Sequence, residues 1–298
     1  QEEETAMIDP TIGAADEFIE GKINELAVEL ENRLTADVLA FEGPLAWGVD
    51  DCIREAVETR KEPRHPKLAV IVQTTGGSVE VVERIHTVFR KHYGEVEFYV
   101  PNYAFSAGTV LVMSGDAIHM DYYSVLGPID PQKIDNDRAI PASGYLVQYE
   151  RLIDKSRTGD LTTAELAFLL EKFDPAELYQ FEQERNLSVT YLKDWLVRYK
   201  FKNWKVTESR KKPVTALMRE ERAKEVANIL QDTDRWHTHG RGISMEVLRT
   251  VLNLQIEDFS EDRDTAKLLR SYYKLLDDFA TKRGQRCIVH MRSWYWAT

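Results

Sequence analysis

A chain of 298 residues has room for a large buried core, and 43% hydrophobic with 30% charged residues is the make-up of a water-soluble globular protein, not of a disordered one. The net charge of −11 gives no overall attraction to phosphate backbones, so nucleic acid is not an expected partner even though "SRKKP" at 209–213 is locally basic. Two distant cysteines, Cys52 and Cys287, support neither a disulfide framework nor a zinc cluster and fit a reducing, cytoplasmic setting; no window reaches the roughly 18–20 apolar residues of a membrane span.

From the N-terminus, "AADEFIEGKINELAVELENRL" repeats apolar residues at three- and four-residue steps through Phe18, Ile19, Ile23, Leu26, Ala27, Leu30 and Leu34. This predicts an amphipathic helix, taken as a separate element over 1–35 that packs on the domain or on a partner. An alternation follows: strand "DVLAFEG", helix "VDDCIREAVETR", strand "KLAVIVQT", helix "VEVVERIHTVFRKHY", strand "EVEFYVP", helix "SAGTVLVMSG" and strand "AIHMDYYSVLG". Such βα repetition predicts a parallel sheet, and "LAVIV", apolar at every position, reads as a strand covered by helices on both faces. The α/β core is expected over 36–142, ending in "KIDNDRAIPASG" as a polar loop. Residues 143–230 read as an insertion of successive helices, with Trp195, Tyr199 and Trp204 as packing aromatics. Residues 231–298 then close the core and extend beyond it, with Trp294 and Trp296 presented near the end, where they can dock on the body or on another subunit.

Two short stretches could carry chemistry. "QTTGGSVE" at 73–80 ends a strand with two glycines and opens a helix, so its amides could point into a cleft and stabilise a negative oxygen; a plain tight turn is the competing reading. It lacks the GxxxxGK[ST] pattern of a phosphate loop. Ser106 stands where a strand gives way to the helix "SAGTVLV", which suits a nucleophile flanked by small residues and equally suits a helix N-cap. His65, His86 and His92 are expected on an exposed loop or helix faces and His119 in a strand; none has metal-ligand spacing, so no metal or other cofactor is expected.

Taken together, "TTGGSVE" and "YAFSAGTVLVMSGDAIHMDYYSVLGPIDPQ" resemble the serine dehydrogenase proteinase family, SppA-like members of the ClpP/crotonase superfamily. The later "RWHTHGRGISMEVL" is similar to the element that closes the core in that family, so the resemblance runs from about 36 to 258. It implies a ClpP/crotonase-like spiral of βα units, Ser106 as nucleophile, and an oxyanion hole formed by Gly76, Gly77 and the amide of Ala107. Where ClpP proteins carry their histidine, this chain has "IDPQ" with Asp130, and where they carry their aspartate it has "WHTHG". The expected triad is therefore Ser106, His239 as base and Asp130 orienting it, since chain order is free to vary between triads. Other candidate bases are His237 and, for a Ser–Lys dyad of the SppA kind, Lys133 or Lys155, both in solvated sequence contexts.

The resulting expectation is a serine endopeptidase acting on peptide or protein substrates as a homo-oligomer, with the N-terminal helix and the helical insertion as assembly surfaces. Two other classes remain open: a catalytically silent peptide-binding or scaffold protein of the same fold, and a crotonase-type acyl-CoA enzyme that would not need the serine.

Overall fold

The computed structural model describes residues 13–60, 64–129, 132–135, 138–207, 211–238 and 240–298. The first half runs α1 (Ala14–Leu34), β1 (Asp37–Glu42), α2 (Val49–Thr59), β2 (Lys67–Gln73), α3 (Val79–His92), β3 (Glu95–Tyr99), β4 (Tyr103–Ala104), α4 (Ala107–Met113), β5 (Ala117–Met120) and β6 (Val125–Leu126). A hairpin, β7 (Gln132–Asp135) and β8 (Arg138–Pro141), precedes α5 (Ala142–Thr158), α6 (Thr163–Lys172) and α7 (Pro175–Trp195), the last continuing as a π-helical turn over Leu196–Lys200. Then come α8 (Ala216–Leu230), α9 (Thr233–Trp236), β9 (Ile243–Ser244), α10 (Met245–Thr250), β10 (Glu257–Asp258), α11 (Arg263–Lys282), β11 (Ile288–Met291) and β12 (Trp294–Ala297).

The main sheet has seven strands in the order β10-β5-β3-β2-β1-β11-β12. From β10 to β1 neighbouring strands are parallel, whereas β11 joins β1 and β12 joins β11 antiparallel. This is the expected α/β core, and the alternation inside its strands explains why it has three layers. In β2, Leu68, Val70 and Val72 face a cluster shared with α2, α3, α4 and α8, while Ala69 and Ile71 face a second one shared with α1 and α11. Strand β1 divides in the same way, Leu39 and Phe41 to one side and Val38 and Ala40 to the other. A strand apolar on both faces can satisfy both layers at once, each buried Val or Leu contributing roughly 1.5–3 kcal/mol.

The structure settles one open alternative and changes several expectations. Helix α1 packs within the chain: Ile23, Ala27 and Leu30 are buried in the cluster that holds Leu269, Tyr272 and Leu276 of α11, while Phe18 is left outside. Helix α11 itself was not foreseen, although Asp262 caps it and Leu269, Tyr272, Leu276 and Phe279 recur at helical spacing. The polar stretch 132–141 is a two-stranded hairpin and not a loop, with Lys133 opposite Ile140 in its register. The run "AIHMDYYSVLG" also divides, β5 joining the main sheet and β6 a separate small one. His86 is buried, 8% exposed, and not on an outer helix face. Its ring stacks on Trp195 at 4.2 Å, and burial pushes its pKa down to about 3, so it packs as a neutral aromatic. Trp195 is buried as foreseen, with Tyr199 and Trp204 packed against the same core. Trp294 and Trp296 are half-buried in β12 at the sheet edge and pack against the core, the first of the two dockings open to them. Among the described residues no helix is long and apolar enough to cross a membrane.

Candidate active site

A second sheet of three short strands, β4-β6-β9, organises the site. Strand β4, which leads into Ser106, pairs in parallel with β6, Tyr103 opposite Val125 and Ala104 opposite Leu126. Strand β6, which leads toward "IDPQ", pairs antiparallel with β9, Leu126 opposite Ile243, so the stretch after "WHTHG" runs beside it. The three sequence motifs thus converge on one small sheet. Asp130 and His239 themselves lie outside the described residues. Ile129 is fixed by its amide donating to Leu230 O at 3.0 Å.

The "TTGG" and "SAGT" motifs interlock. Thr74 N–H donates to Tyr103 O at 3.2 Å and Phe105 N–H to Thr74 O at 3.0 Å, which sets the Gly-Gly turn alongside the serine. Gly76, at φ +101°, comes so close that a Cβ there would lie 2.7 Å from Phe105 O and 2.8 Å from Ser106 Cβ. Gly77, at φ +151°, leaves no room either, since its Cβ would stand 2.3 Å from Leu45 O. Both positions therefore require glycine for space and for backbone conformation. The Thr109 hydroxyl is fully buried and donates toward Ala104 O at 2.9 Å and Gly127 O at 2.8 Å, while Gly127 N–H donates back to it at 3.1 Å. This staples the start of α4 to the β4–β6 pair.

Ser106 occupies the N-cap position of α4, yet its side chain makes no capping hydrogen bond. Its backbone stands at φ +53°, ψ −121°, a sparsely populated region for any residue with a Cβ. Its side chain is half-buried at this strand-to-helix turn. The amide of Gly76 is already engaged with Thr74 Oγ1 at 3.0 Å. Those of Gly77 and Ala107 have no acceptor among the described residues.

Gly108 fits for a related reason: a Cβ on it would lie 2.3 Å from Thr74 Cγ2. Gly108→Ala is expected to lose about 1–3 kcal/mol in urea unfolding through overpacking. Adding Thr74→Ser, which removes that methyl and keeps the hydroxyl that receives the Gly76 amide, should restore most of the loss; additive losses in the double variant would contradict the interlock.

The remaining candidates are scattered in character. Lys155 lies in the last turn of α5, half exposed, with Nζ 2.5 Å from Glu165 Oε1. A half-exposed side chain in an ion pair is the reverse of the desolvated amine a Ser–Lys dyad needs. His237 is exposed at the end of α9 with φ +63°. Lys133 is placed only by its register in the β7–β8 hairpin. One group was missed by the sequence reading. Glu42, at the carboxyl end of β1, accepts from Gln73 Nε2 at 2.7 Å, and burial together with the Asp277 carboxylate pushes its pKa up to about 8. Its position at a strand end beside "QTTGG" was the available signal. Among the described residues no group of His, Cys, Asp and Glu is gathered as a metal site.

Residues 48–168 match the model of the ClpP-like SDH-type serine proteinases. Over that segment the chain is similar to this family. The SDH-type segment holds the Gly-Gly turn, Ser106, Asp130 and both candidate lysines, and ends before His237 and His239. Two uncharacterized proteins of Methanocaldococcus jannaschii are similar to parts of the chain. One is 38% identical over 73 residues, which is 24% of this chain and 26% of the relative; the other is 29% identical over 97 residues, 33% of each. The chain thus spans about a quarter to a third of the length of these relatives. Two variant structures of a membrane-bound stomatin-specific protease, one of them in complex with a substrate peptide, align at TM-scores of 0.43 and 0.42 with 13% and 14% identity. They cover 76% and 74% of this chain and 82% and 73% of their own.

Proposed function

We propose that this protein is a serine endopeptidase in which Ser106 is the nucleophile. The observation that carries the reading is the unbonded, conformationally strained serine set directly against the Gly-Gly turn. Ser106 Oγ attacks the peptide carbonyl carbon while its proton passes to the general base. The oxygen that becomes negative is met by the N–H groups of Gly77 and Ala107, in place of the three-donor set expected from sequence, because the Gly76 amide is spent on Thr74. Collapse of the tetrahedral intermediate breaks the C–N bond, the base returns its proton to the leaving amine, and water then hydrolyses the acyl-serine ester to a carboxylic acid. For the base we keep His239, with Asp130 orienting it, and we propose that the active form is a homo-oligomer acting on peptide or protein substrates. The four-part division at 35, 142 and 230 stays with this reading.

Labelling with a fluorophosphonate probe tests the assignment. The wild-type chain should be labelled and the Ser106→Ala variant should not, while His239→Ala should label far more slowly. Unlabelled wild type under conditions where it is folded would instead favour a silent peptide-binding protein or an acyl-CoA enzyme. Undiminished labelling of the His239 variant would remove His239 from the mechanism.

A further inference from the structure

At the sheet edge formed by β12, away from the Gly-Gly turn, a cavity of about 290 Å³ opens between α1 and the β11–β12 hairpin. Helix α1 lines it with Glu20, Ile23 and Asn24, three residues on one face by their spacing. The hairpin contributes His290, Ser293 and the rings of Trp294 and Tyr295. The size is at the lower end of small-molecule pockets, which run from roughly 300 Å³.

Three polar groups in this wall have unused hydrogen-bonding capacity. His290 is 2% exposed, and its Nδ1 lies 2.6 Å from Tyr272 Oη. The Tyr272 hydroxyl is fully buried and has no other hydrogen-bond partner among the described residues, so it donates to Nδ1. The imidazole, kept neutral by burial, therefore carries its proton on Nε2, which has no protein partner among the described residues. Asn24 Oδ1 accepts from Ser293 N–H at 2.8 Å, which leaves the Nδ2 donors of that amide free. Among the described residues Glu20 has only a distant cation, Arg283 at 3.9 Å, and Arg283 is nearer to Asp16 at 3.3 Å. Burial and the neighbouring acids Asp16 and Glu17 raise the Glu20 pKa, so a cation beside this carboxylate would relieve an unfavourable site. Tyr295 spends its hydroxyl on Gln285 Oε1 at 2.6 Å and offers its ring to the cavity.

Two donors, one carboxylate and apolar walls match one chemical pattern. We propose that this cavity binds an α-aminoacyl group, its ammonium at Glu20, its carbonyl or carboxylate oxygen at His290 Nε2 and Asn24 Nδ2, and an apolar side chain against Ile23 and Trp294. The group can come as a free amino acid or as the N-terminus of a peptide, which share this chemistry. The proposal stands independently of Ser106.

Calorimetric titration of the full chain with leucinamide tests it, with N-acetyl-leucinamide lacking the ammonium and isopentylamine lacking the carbonyl as controls. Leucinamide should bind saturably and each control at least tenfold more weakly. Glu20→Gln, at a part-exposed position that the fold tolerates, should weaken leucinamide at least tenfold, and the His290 Nε2 resonance should shift on addition of ligand to wild type. Leucine and a leucine-initiated tetrapeptide then separate the sources: binding of leucine alone points to a free amino acid, and binding of both points to a peptide terminus. Absence of saturable leucinamide binding, equal binding of the acetylated control, or unchanged affinity in the Glu20 variant would overturn the proposal.

Discussion

Ser106→Gly is expected to abolish peptidase turnover and at the same time make the protein more stable. On activity, loss of the proposed nucleophile should lower kcat/KM by roughly 10³-fold or more, as removal of a triad serine does elsewhere. On stability, the sign follows from the backbone. At φ +53°, ψ −121°, a residue with a Cβ carries strain on the order of 1–3 kcal/mol, which glycine does not feel. Part of that gain is offset by the greater freedom of glycine in the unfolded chain, about 0.4–1 kcal/mol, so a net rise of about 1 kcal/mol in urea unfolding is the expected result. If the serine were there as a helix cap, the same variant would lose stability, or at best break even. Ser106→Ala divides the two effects: it should match glycine in lost turnover while leaving stability near wild type, because the hydroxyl makes no capping bond and the strain remains. A cap would instead cost about 0.5–2 kcal/mol on replacement by alanine. A fall of that size in Ser106→Ala would return the residue to a structural role.

How far the sequence carries this site depends on which physical signals are local. Strands β1 and β2 are legible because burial on both faces forces a continuous apolar run, and the interlock of "TTGG" with "SAGT" is legible as motifs because each glycine answers a close contact. Which amides remain free is not local information. Gly76 and Gly77 look equivalent in the sequence, and only the Thr74 hydroxyl, two residues before Gly76, takes one of them out of use. His86 illustrates the opposite failure: its helical spacing is sound, but α7 arrives from about a hundred residues later to bury it against Trp195. The β7–β8 hairpin was hidden by its polar composition, since its pairing does not rest on an apolar alternation. Helix α11 had both its cap and its periodicity on view, and its pairing with α1 is what turns an apparently free amphipathic helix into part of the core.

The largest stability loss is expected away from the site, at Asp37. This residue opens β1, is fully buried, and receives hydrogen bonds from Arg60 at 3.0 Å, Tyr93 Oη at 2.9 Å and His65 N–H at 3.1 Å. Arg60 also pairs with Glu31 of α1 at 2.9 Å, and its side chain is only 4% exposed. One carboxylate therefore ties the end of α2, the approach to β2 and the end of α3 to the start of the sheet. A buried ion pair adds little over a well-packed apolar alternative, because desolvation consumes the attraction; removing one partner is another matter, since the other stays buried and unmatched. Asp37→Ala should cost about 3–5 kcal/mol, a large share of the roughly 5–15 kcal/mol that holds a domain folded. Tyr93→Phe, which deletes a single hydrogen bond from the same carboxylate, should cost only about 1 kcal/mol. Glu42 and the Gly-Gly turn lie at the opposite ends of these strands, so below the unfolding transition the rate of probe labelling at Ser106 should be unchanged in both variants. Urea unfolding at fixed pH, with labelling measured in parallel, checks both statements. A loss under about 1 kcal/mol for Asp37→Ala would mean that Glu31 alone suffices to neutralise Arg60 and that the network is less coupled than its geometry implies.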